Sequence, residues 1–269
     1  MSQPNRTGRL AGKVCGITGA TGIAEAAAVR FAAEGARLFV VALREEDCVA
    51  LADRIGASTE ITWVAADLTN EEDTERAFAR CAETFDRLDA LLACAGGSGR
   101  PFGDGPLHST SLESWNTTVA LNLNTAFLSS REAVKIMLEQ PTGGSVVYVS
   151  SVAATNPVAG AFNTLAYSAA KGGINSLTLN GACQYGAAGI RFNAILPALT
   201  VTPEVTPTSV SAVMLFVPEM IHRPDPFFTS AIAPASKSGV VLESTAASSL
   251  SPVFDPSSVI VRGRVLAPK

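Results

Sequence analysis

Short apolar runs alternate with longer helical patterns over the first 200 residues, and this alternation constrains the fold more than any other feature of the chain. The apolar runs, which predict strands, lie at 13–18, 37–43, 60–67, 88–96, 143–151 and 190–197. The helical patterns lie near 23–34, 45–55, 71–86, 112–139 and 165–187. Near-continuous apolar runs are typical of parallel strands that are buried on both faces. The sequence therefore predicts an α/β fold, with a doubly wound parallel sheet and helices on both of its faces.

The alternation ends near residue 200. Residues 201–258 contain eight prolines, together with many serines and threonines, and show no convincing period. This composition predicts an irregular segment, and a last apolar piece at 259–267 predicts a possible final strand. We expect a single domain over 1–269, in which residues 1–200 form the core.

Composition excludes several functional classes. A formal net charge of −4 and an isoelectric point near 5.3, without a basic stripe, argue against a nucleic-acid partner. No apolar run reaches the roughly 18 residues that a membrane span needs. The five cysteines contain no Cys-x-x-Cys pair, which is typical of a reducing compartment, and the two histidines indicate no metal centre. We therefore expect a cytoplasmic protein without membrane association or bound metal.

A glycine-rich turn joins the first predicted strand to the first predicted helix. The segment GITGATGIAEAAA begins at residue 16 and places Gly19 and Gly22 where a dinucleotide turn would need them. Glycines let the backbone approach a pyrophosphate, and the amides at a helix N-terminus hold its negative charge. A simple tight turn between strand and helix is the alternative interpretation.

From this turn onward the chain resembles the short-chain dehydrogenase/reductase family. The usual turn of that family is Thr-Gly-x-x-x-Gly-x-Gly; Thr18, Gly19 and Gly22 match it, although the loop is one residue shorter and Ala24 replaces the last glycine. Further matching motifs follow in the family order: Asp67-Leu68, ACAG at 93–96, Asn122, the Ser150-Ser151 pair, LAYSAAKGG at 165–173, and IRFNAILPALTVT from residue 190.

The resemblance implies a Rossmann-type fold, a nicotinamide cofactor and a set of site residues. The implied catalytic residues are Asn122, Ser151, Tyr167 and Lys171. The implied cofactor-binding residues are Thr18, Gly19, Gly22, Ile23, Arg44, Asp67, Leu68, Ala95, Gly96, Tyr167, Lys171, Pro197 and Thr202. The segment 201–258 is then expected to form a substrate lid.

Tyr167 and Lys171 are four residues apart, so a helix would place them on one face. A phenol has a pKa of about 10, and lowering it by ~3 units corresponds to about 4 kcal/mol. We expect Lys171 and the charge of an oxidised nicotinamide to supply that energy, so that Tyr167 acts as general acid or base. The resemblance implies that Ser151 hydrogen-bonds the substrate oxygen, and that Asn122 holds a water that connects Lys171 to solvent.

Structural interpretations of these residues also stay open. Tyr167 could be a packed aromatic, Asn122 could satisfy backbone groups at a helix bend, and Ser151 could cap a helix while Ser150 takes its catalytic role. Each of these interpretations predicts contacts that a structure can distinguish from the catalytic ones.

The end of the second predicted strand bears on the choice of cofactor. NAD-specific enzymes usually carry an acid there, whereas this chain has Ala42, and Arg44 follows two residues later. A guanidinium could bind the 2′-phosphate of NADP, while Glu45 and Glu46 would oppose it. We therefore favour NADP over NAD, with a solvated loop charge as the alternative role of Arg44.

Together these motifs predict an oxidoreductase that interconverts an alcohol and a carbonyl on a hydrophobic small molecule. A nicotinamide-binding regulatory or sensor protein with little turnover is the main alternative, and an isomerase or dehydratase is a third. We also expect a homo-oligomer, a tetramer or a dimer, because family members pair the helices that correspond to 112–139 and 165–187. The apolar residues expected to serve both the sheet and a neighbouring subunit are Phe127, Met137, Leu177 and Leu179.

Overall fold

The computed structural model describes residues 8–155, residues 164–198 and the backbone of a strand at 213–216. The strands are β1 Val14–Thr18, β2 Arg37–Ala42, β3 Ile61–Ala65, β4 Ala90–Ala93, β5 Gly144–Val149, β6 Ile190–Pro197 and β7 Val213–Phe216. The helices are α1 Gly22–Ala33, α2 Glu45–Ile55, α3 Glu71–Phe85, α4 Leu112–Val119, α5 Thr125–Leu138 and α6 Leu165–Tyr185.

The strands form one sheet in the order β3-β2-β1-β4-β5-β6-β7. Strands β1 to β6 are all parallel, which confirms the predicted doubly wound α/β fold. Strand β7 pairs antiparallel with β6, with Val213 opposite Pro197. The expectation of an irregular segment over 201–258 was therefore wrong for these four residues, because a short apolar run among prolines gives too weak a pattern to predict a strand. The rest of that segment and the possible strand at 259–267 lie outside the described residues.

Both faces of the sheet are buried, as the apolar strands predicted. Along β2 the side chains alternate between two clusters: Phe39 and Val41 pack with residues of α3, α5 and α6, whereas Leu38 and Val40 pack with residues of α1 and α2. All four of these side chains are at most 1% exposed. This alternation is the period of a strand that is covered on both sides, and it fixes the register of the sheet.

The helical pattern at 112–139 is broken, although the sequence indicated one continuous helix. A wide π turn at Ala120–Asn124 separates α4 from α5 and places Asn122 fully inside the protein. The Asn122 side-chain nitrogen donates to the Thr118 carbonyl at 2.9 Å, and the Thr125 hydroxyl donates to the Leu121 carbonyl at 2.9 Å. Such bonds compete with the regular helical ones, and π turns of this kind occur frequently at functional sites.

Within the described ranges, no helix is long and apolar enough to cross a membrane. The same residues contain no group of three or more histidine, cysteine or acidic side chains that could hold a metal ion.

Candidate active site

The carboxyl ends of β1 and β4 lie side by side, and the chain leaves them toward opposite edges of the sheet. Open parallel sheets bind ligands at such a switch point. The glycine turn after β1 lies here: Gly19 has φ +94° and Gly22 has φ +58°, both in the left-handed region. A Cβ atom at Gly19 would lie 3.3 Å from that of Ala24. The turn therefore requires glycine and leaves backbone surface exposed to a ligand.

The first turn of α1 fits a bound phosphate. Thr21 precedes the helix and makes no side-chain cap bond to its amides, while Ile23 packs its side chain toward the core. Helix N-termini without a side-chain cap leave amide donors for an anion. The first amides of α1 are therefore not taken by a side-chain cap, while the first turn also contains the acidic Glu25, which is paired with Arg54.

Thr18 joins the ends of the two central strands. Its hydroxyl accepts from the amides of Cys94 and Ala95, each at 3.0 Å. Gly96 follows with φ +146°, and a Cβ atom there would lie 2.6 Å from the side-chain oxygen of Asn122. The predicted residues Thr18, Ala95 and Gly96 are therefore together at the switch point.

The residues expected at the adenosine end of the cofactor lie farther from the switch point, also beyond the carboxyl ends of the strands. The Asp67 carboxylate is exposed and accepts from the amide and hydroxyl of Thr69, whereas the Leu68 side chain is buried in the core. Any contact that Leu68 makes with a ligand must therefore use its backbone. Pro197 ends β6 on this edge, and Thr202 lies outside the described residues.

Arg44 is neither a free cation nor a simple solvated charge. Its guanidinium makes two hydrogen bonds to Asp47, at 2.8 and 2.9 Å, and lies 3.8 Å from Glu46. The side chain is 61% exposed. The sequence weighed Glu45 and Glu46 against a phosphate at this position, but the acid that actually engages Arg44 is Asp47.

Tyr167 and Lys171 lie on one face of α6, as their spacing predicted. The Lys171 ammonium is 5.5 Å from the centre of the Tyr167 ring and donates to the Val149 carbonyl at 2.8 Å. Burial lowers the pKa of Lys171 to about 8, because a charged group is poorly solvated there. This lysine can therefore exchange a proton close to neutral pH.

The pKa of Tyr167 is raised by burial, and a hydrogen bond with Ser151 only partly opposes this effect. The sequence led us to expect a lowered value. That expectation included the charge of an oxidised nicotinamide, so a lowered pKa with the cofactor bound stays a prediction; from the protein's own groups, withdrawal from water favours the neutral phenol.

The two serines after β5 have separate roles. The Ser150 hydroxyl donates to the Lys171 carbonyl at 3.0 Å and so links β5 to α6. Ser151 lies near enough to the Tyr167 hydroxyl to act against the rise in its pKa, and its oxygen accepts from the Ala153 amide at 3.1 Å. Ser151 is therefore the serine beside the phenol, and the capping role considered for it holds as well.

Asn122 makes the contacts that its structural interpretation predicted. Besides its bond to Thr118, its side chain bonds both polar groups of Gly97: the oxygen accepts from the amide at 3.1 Å and the nitrogen donates to the carbonyl at 3.0 Å. These bonds fix the loop after β4 against the π turn. The expected water-holding role of Asn122 stays a prediction.

Two residues near this site were given no catalytic or cofactor-binding role by sequence reasoning. Cys94 lies close enough to Lys171 and to the Ala24 amide to interact with both, and burial raises its pKa to about 11. Asp104 is 6% exposed and accepts from the amides of Ala166 and Tyr167. The sequence contains one indirect signal for such a residue. The first turn of α6 has no acidic side chain of its own, so an acid from elsewhere in the chain could bind its amides.

A sheet ordered 3-2-1-4-5-6 with a glycine turn at its switch point is the Rossmann arrangement of dinucleotide-binding proteins. A family model described as short chain dehydrogenase matches residues 13–211. The chain therefore belongs to the short-chain dehydrogenase family, as its motifs predicted.

Named relatives and solved structures agree with this assignment. Levodione reductase of Leifsonia aquatica is 34% identical over 203 residues, which cover 74% of this chain and 73% of the relative. A mitochondrial borneol dehydrogenase of Lavandula x intermedia is 35% identical over 196 residues, covering 72% of each chain. A crystal structure of levodione reductase has a TM-score of 0.68 at 35% identity, covering 72% of this chain and 74% of that one. A 3-ketoacyl-(acyl-carrier-protein) reductase from Brucella melitensis, complexed with NADH, has a TM-score of 0.65 at 28% identity over 72% of this chain and 78% of its own.

Proposed function

We propose that this protein interconverts an alcohol and a carbonyl on an apolar small molecule, with NAD(P) as the cofactor. The contact of Ser151 with Tyr167, and of Tyr167 with Lys171, carries the proposal. Relatives named for levodione, borneol and a 3beta-hydroxysteroid support the substrate class.

The protein's own groups account for the movement of the proton. A bound nicotinamide would donate the hydride in carbonyl reduction and accept it in alcohol oxidation, and its oxidised form would add a positive charge to the site. Tyr167 donates the proton during carbonyl reduction and accepts it during alcohol oxidation, while Ser151 hydrogen-bonds the substrate oxygen. Lys171, with a pKa of about 8, returns the proton to Tyr167 or removes it. Asn122 holds the adjacent loop and is assigned the water that links Lys171 to solvent.

The cofactor site is assigned along the edge of the sheet described above. The turn from Thr18 to Ile23 holds the pyrophosphate on the amides of α1, and the Asp67-Leu68 segment meets the adenine. Ala95, Gly96, Pro197 and Thr202 complete the assignment toward the nicotinamide. The glycine conformations at the turn and the uncapped start of α1 support it.

NADP is the proposed preference. Ala42 supplies no carboxylate for a ribose hydroxyl at the end of β2. To bind a 2′-phosphate, Arg44 would have to release Asp47. The loss of this ion pair reduces the binding free energy that the phosphate contributes but does not abolish it. Asp47→Ala therefore tests the preference, because removing the competing acid should strengthen NADPH binding and leave NADH binding unchanged.

A nicotinamide sensor is the second candidate, and the shortened turn with Ala24 in place of glycine favours it. One experiment separates the two functions: fluorescence titration with NADPH and NADH, followed by turnover assays with levodione, borneol and a 3β-hydroxysteroid. Binding with turnover supports the enzyme, and binding without turnover on a broad carbonyl panel supports the sensor. Failure to bind either nucleotide would contradict both.

We also propose self-association through α5 and α6. Phe127 on α5 and Leu179 on α6 are 46% and 47% exposed, so both helices offer apolar surface to a neighbouring subunit. Met137 is fully buried, so the expectation that it also faces a neighbour was wrong. Leu177 packs against the core but is only partly buried, and its expected second contact with a neighbour stays a prediction. The choice between dimer and tetramer stays a prediction.

Two further sequence predictions stay predictions. The substrate-lid role of 201–258 falls almost entirely outside the described residues. Cytoplasmic localisation, which was expected from the cysteine usage, is the second.

A further inference from the structure

Helix α6 carries Tyr167 and Lys171, yet its first turn is held by a residue from a distant loop. The first turn of the helix contains no acidic residue of its own. Helices ordinarily satisfy some of their first amides with such groups, and leaving them unsatisfied in a buried place is costly. A cap from elsewhere in the chain meets this need.

Asp104 provides that cap. One carboxylate oxygen accepts from the Ala166 amide at 2.9 Å and the other from the Tyr167 amide at 3.0 Å. The two oxygens therefore hold two successive amides, and the second amide belongs to the residue that carries the reactive phenol. Bonds from amides to a carboxylate are stronger than those between neutral groups, and a negative charge at a helix N-terminus adds to them.

The loop that carries Asp104 is fixed at its other end by Asn122. Gly97 exchanges two hydrogen bonds with the Asn122 side chain, and the Asp104 amide donates to the Gly99 carbonyl at 3.1 Å. A Cβ atom at Gly99 would overlap the Thr118 side chain and lie 2.7 Å from the Asp104 Cβ. Residues 97–104, here called the bridging loop, thus form a tightly packed connection between Asn122 and Tyr167.

We propose that Asp104 is a positioning residue, which holds Tyr167 at its working distance from Ser151 through the bridging loop. The inference rests on the proposed function in so far as it concerns turnover, whereas the tether between Asp104 and α6 can be tested without a substrate. Misplacement of a reacting group by about 1 Å can reduce a rate about 100-fold.

The informative variant is Asp104→Asn, which keeps the shape of the side chain. An amide has one acceptor oxygen and would direct its NH2 group at a backbone N–H, so one of the two bonds becomes a donor–donor contact. Thr110→Val is the matched control: Thr110 bonds Gly105 and Pro106 within the following loop and makes no described contact with α6.

The first measurement is hydrogen exchange of the segment 165–171, followed by mass spectrometry. We expect at least tenfold faster exchange at the start of α6 in Asp104→Asn than in the wild type or Thr110→Val. Unchanged exchange in a folded Asp104→Asn protein would overturn the tether, whatever the protein catalyses.

The second measurement is turnover, with the NADPH dissociation constant determined alongside. We expect kcat to fall about 10- to 100-fold, cofactor affinity to stay within about twofold, and the solvent deuterium isotope effect on kcat to rise because proton transfer becomes slower. A fall in kcat without a change in isotope effect, matched by a loss of NADPH-binding sites, would show mere unfolding and overturn the positioning role. Faster exchange with undiminished kcat would overturn it too. If the wild type binds NADPH but turns over no substrate, the proposed enzyme function fails while the exchange experiment still decides the tether.

Discussion

Replacing Lys171 with methionine should remove the contribution that this one group makes to the pH dependence of stability. Burial lowers the pKa of Lys171 from 10.5 to about 8 in the folded protein, whereas the unfolded chain keeps the ordinary value. Between these two pKa values the unfolded state binds more protons than the folded state. Below pH 8, Lys171 lowers the free energy of unfolding by its full amount. This destabilisation is lost as the pH rises from about 8 to 10.5, so the protein becomes more stable over that interval as far as this group is concerned.

The size of the effect follows from the two pKa values. A fall from 10.5 to about 8 corresponds to about 3 kcal/mol, at 1.36 kcal/mol for each pKa unit. About 2 kcal/mol of this is recovered between pH 7 and pH 9.5 by the same linkage relation. Lys171→Met also loses the bond to the Val149 carbonyl, which offsets part of the gain at every pH. The difference in pH dependence between the two proteins is free of that offset.

The assay is urea unfolding of both proteins at pH 7 and pH 9.5, with the free energy of unfolding extrapolated to water. Titrating groups that do not interact with Lys171 contribute equally to the two proteins and cancel, and Cys94, which does interact with it, has a pKa of about 11 and stays protonated over this interval. We expect the wild type to gain about 2 kcal/mol more than Lys171→Met over this interval. Equal changes in the two proteins, or a larger gain in Lys171→Met, would refute the assignment of a lowered pKa to this lysine.

Three further changes test the proposed site and assembly. Tyr167→Phe should bind NADPH normally and lose more than nine tenths of turnover, because only the exchangeable proton is removed; retained turnover would contradict acid–base catalysis by the phenol. Arg44→Ala should weaken NADPH about tenfold in fluorescence titration, since release of Asp47 offsets part of the gain, and equal losses for NADH would contradict the phosphate contact. Leu179→Glu should lower the mass found by light scattering, whereas an unchanged oligomer would exclude this surface of α6.

The sheet could be predicted because its strands are long apolar runs with helices between them. The run 190–197 matches β6 at both ends, and the other five predicted strands each contain the observed one. Strand β7 and the break at Ala120–Asn124 could not be predicted in the same way. The first is four residues long, and the second depends on side chains that bond main-chain carbonyls inside an otherwise helical pattern.

The Tyr167–Lys171 pair could be predicted because the two residues are close in sequence, and helical geometry alone brings them to one face. Their energetics could not, since burial depends on residues from every part of the fold. Asp104 was missed for the same reason: it lies 62 residues before Ala166, in a segment without periodicity. The ion pair of Arg44 could have been predicted from the sequence, because Asp47 follows three residues later at the start of a predicted helix.

Helix α6 shows what holds the catalytic pair in place along its length. A Cβ atom at Gly173 would lie 2.9 Å from Leu123 in the π turn, and one at Gly181 would lie 2.6 Å from Phe192 in β6. Glycine inside a helix costs about 1 kcal/mol relative to alanine, so these two positions lower the intrinsic stability of α6. In return the helix packs closely against the turn that carries Asn122 and against the sheet. With Asp104 on its first amides, α6 is fixed at three points, which defines the positions of Tyr167 and Lys171 more tightly than helix propensity could.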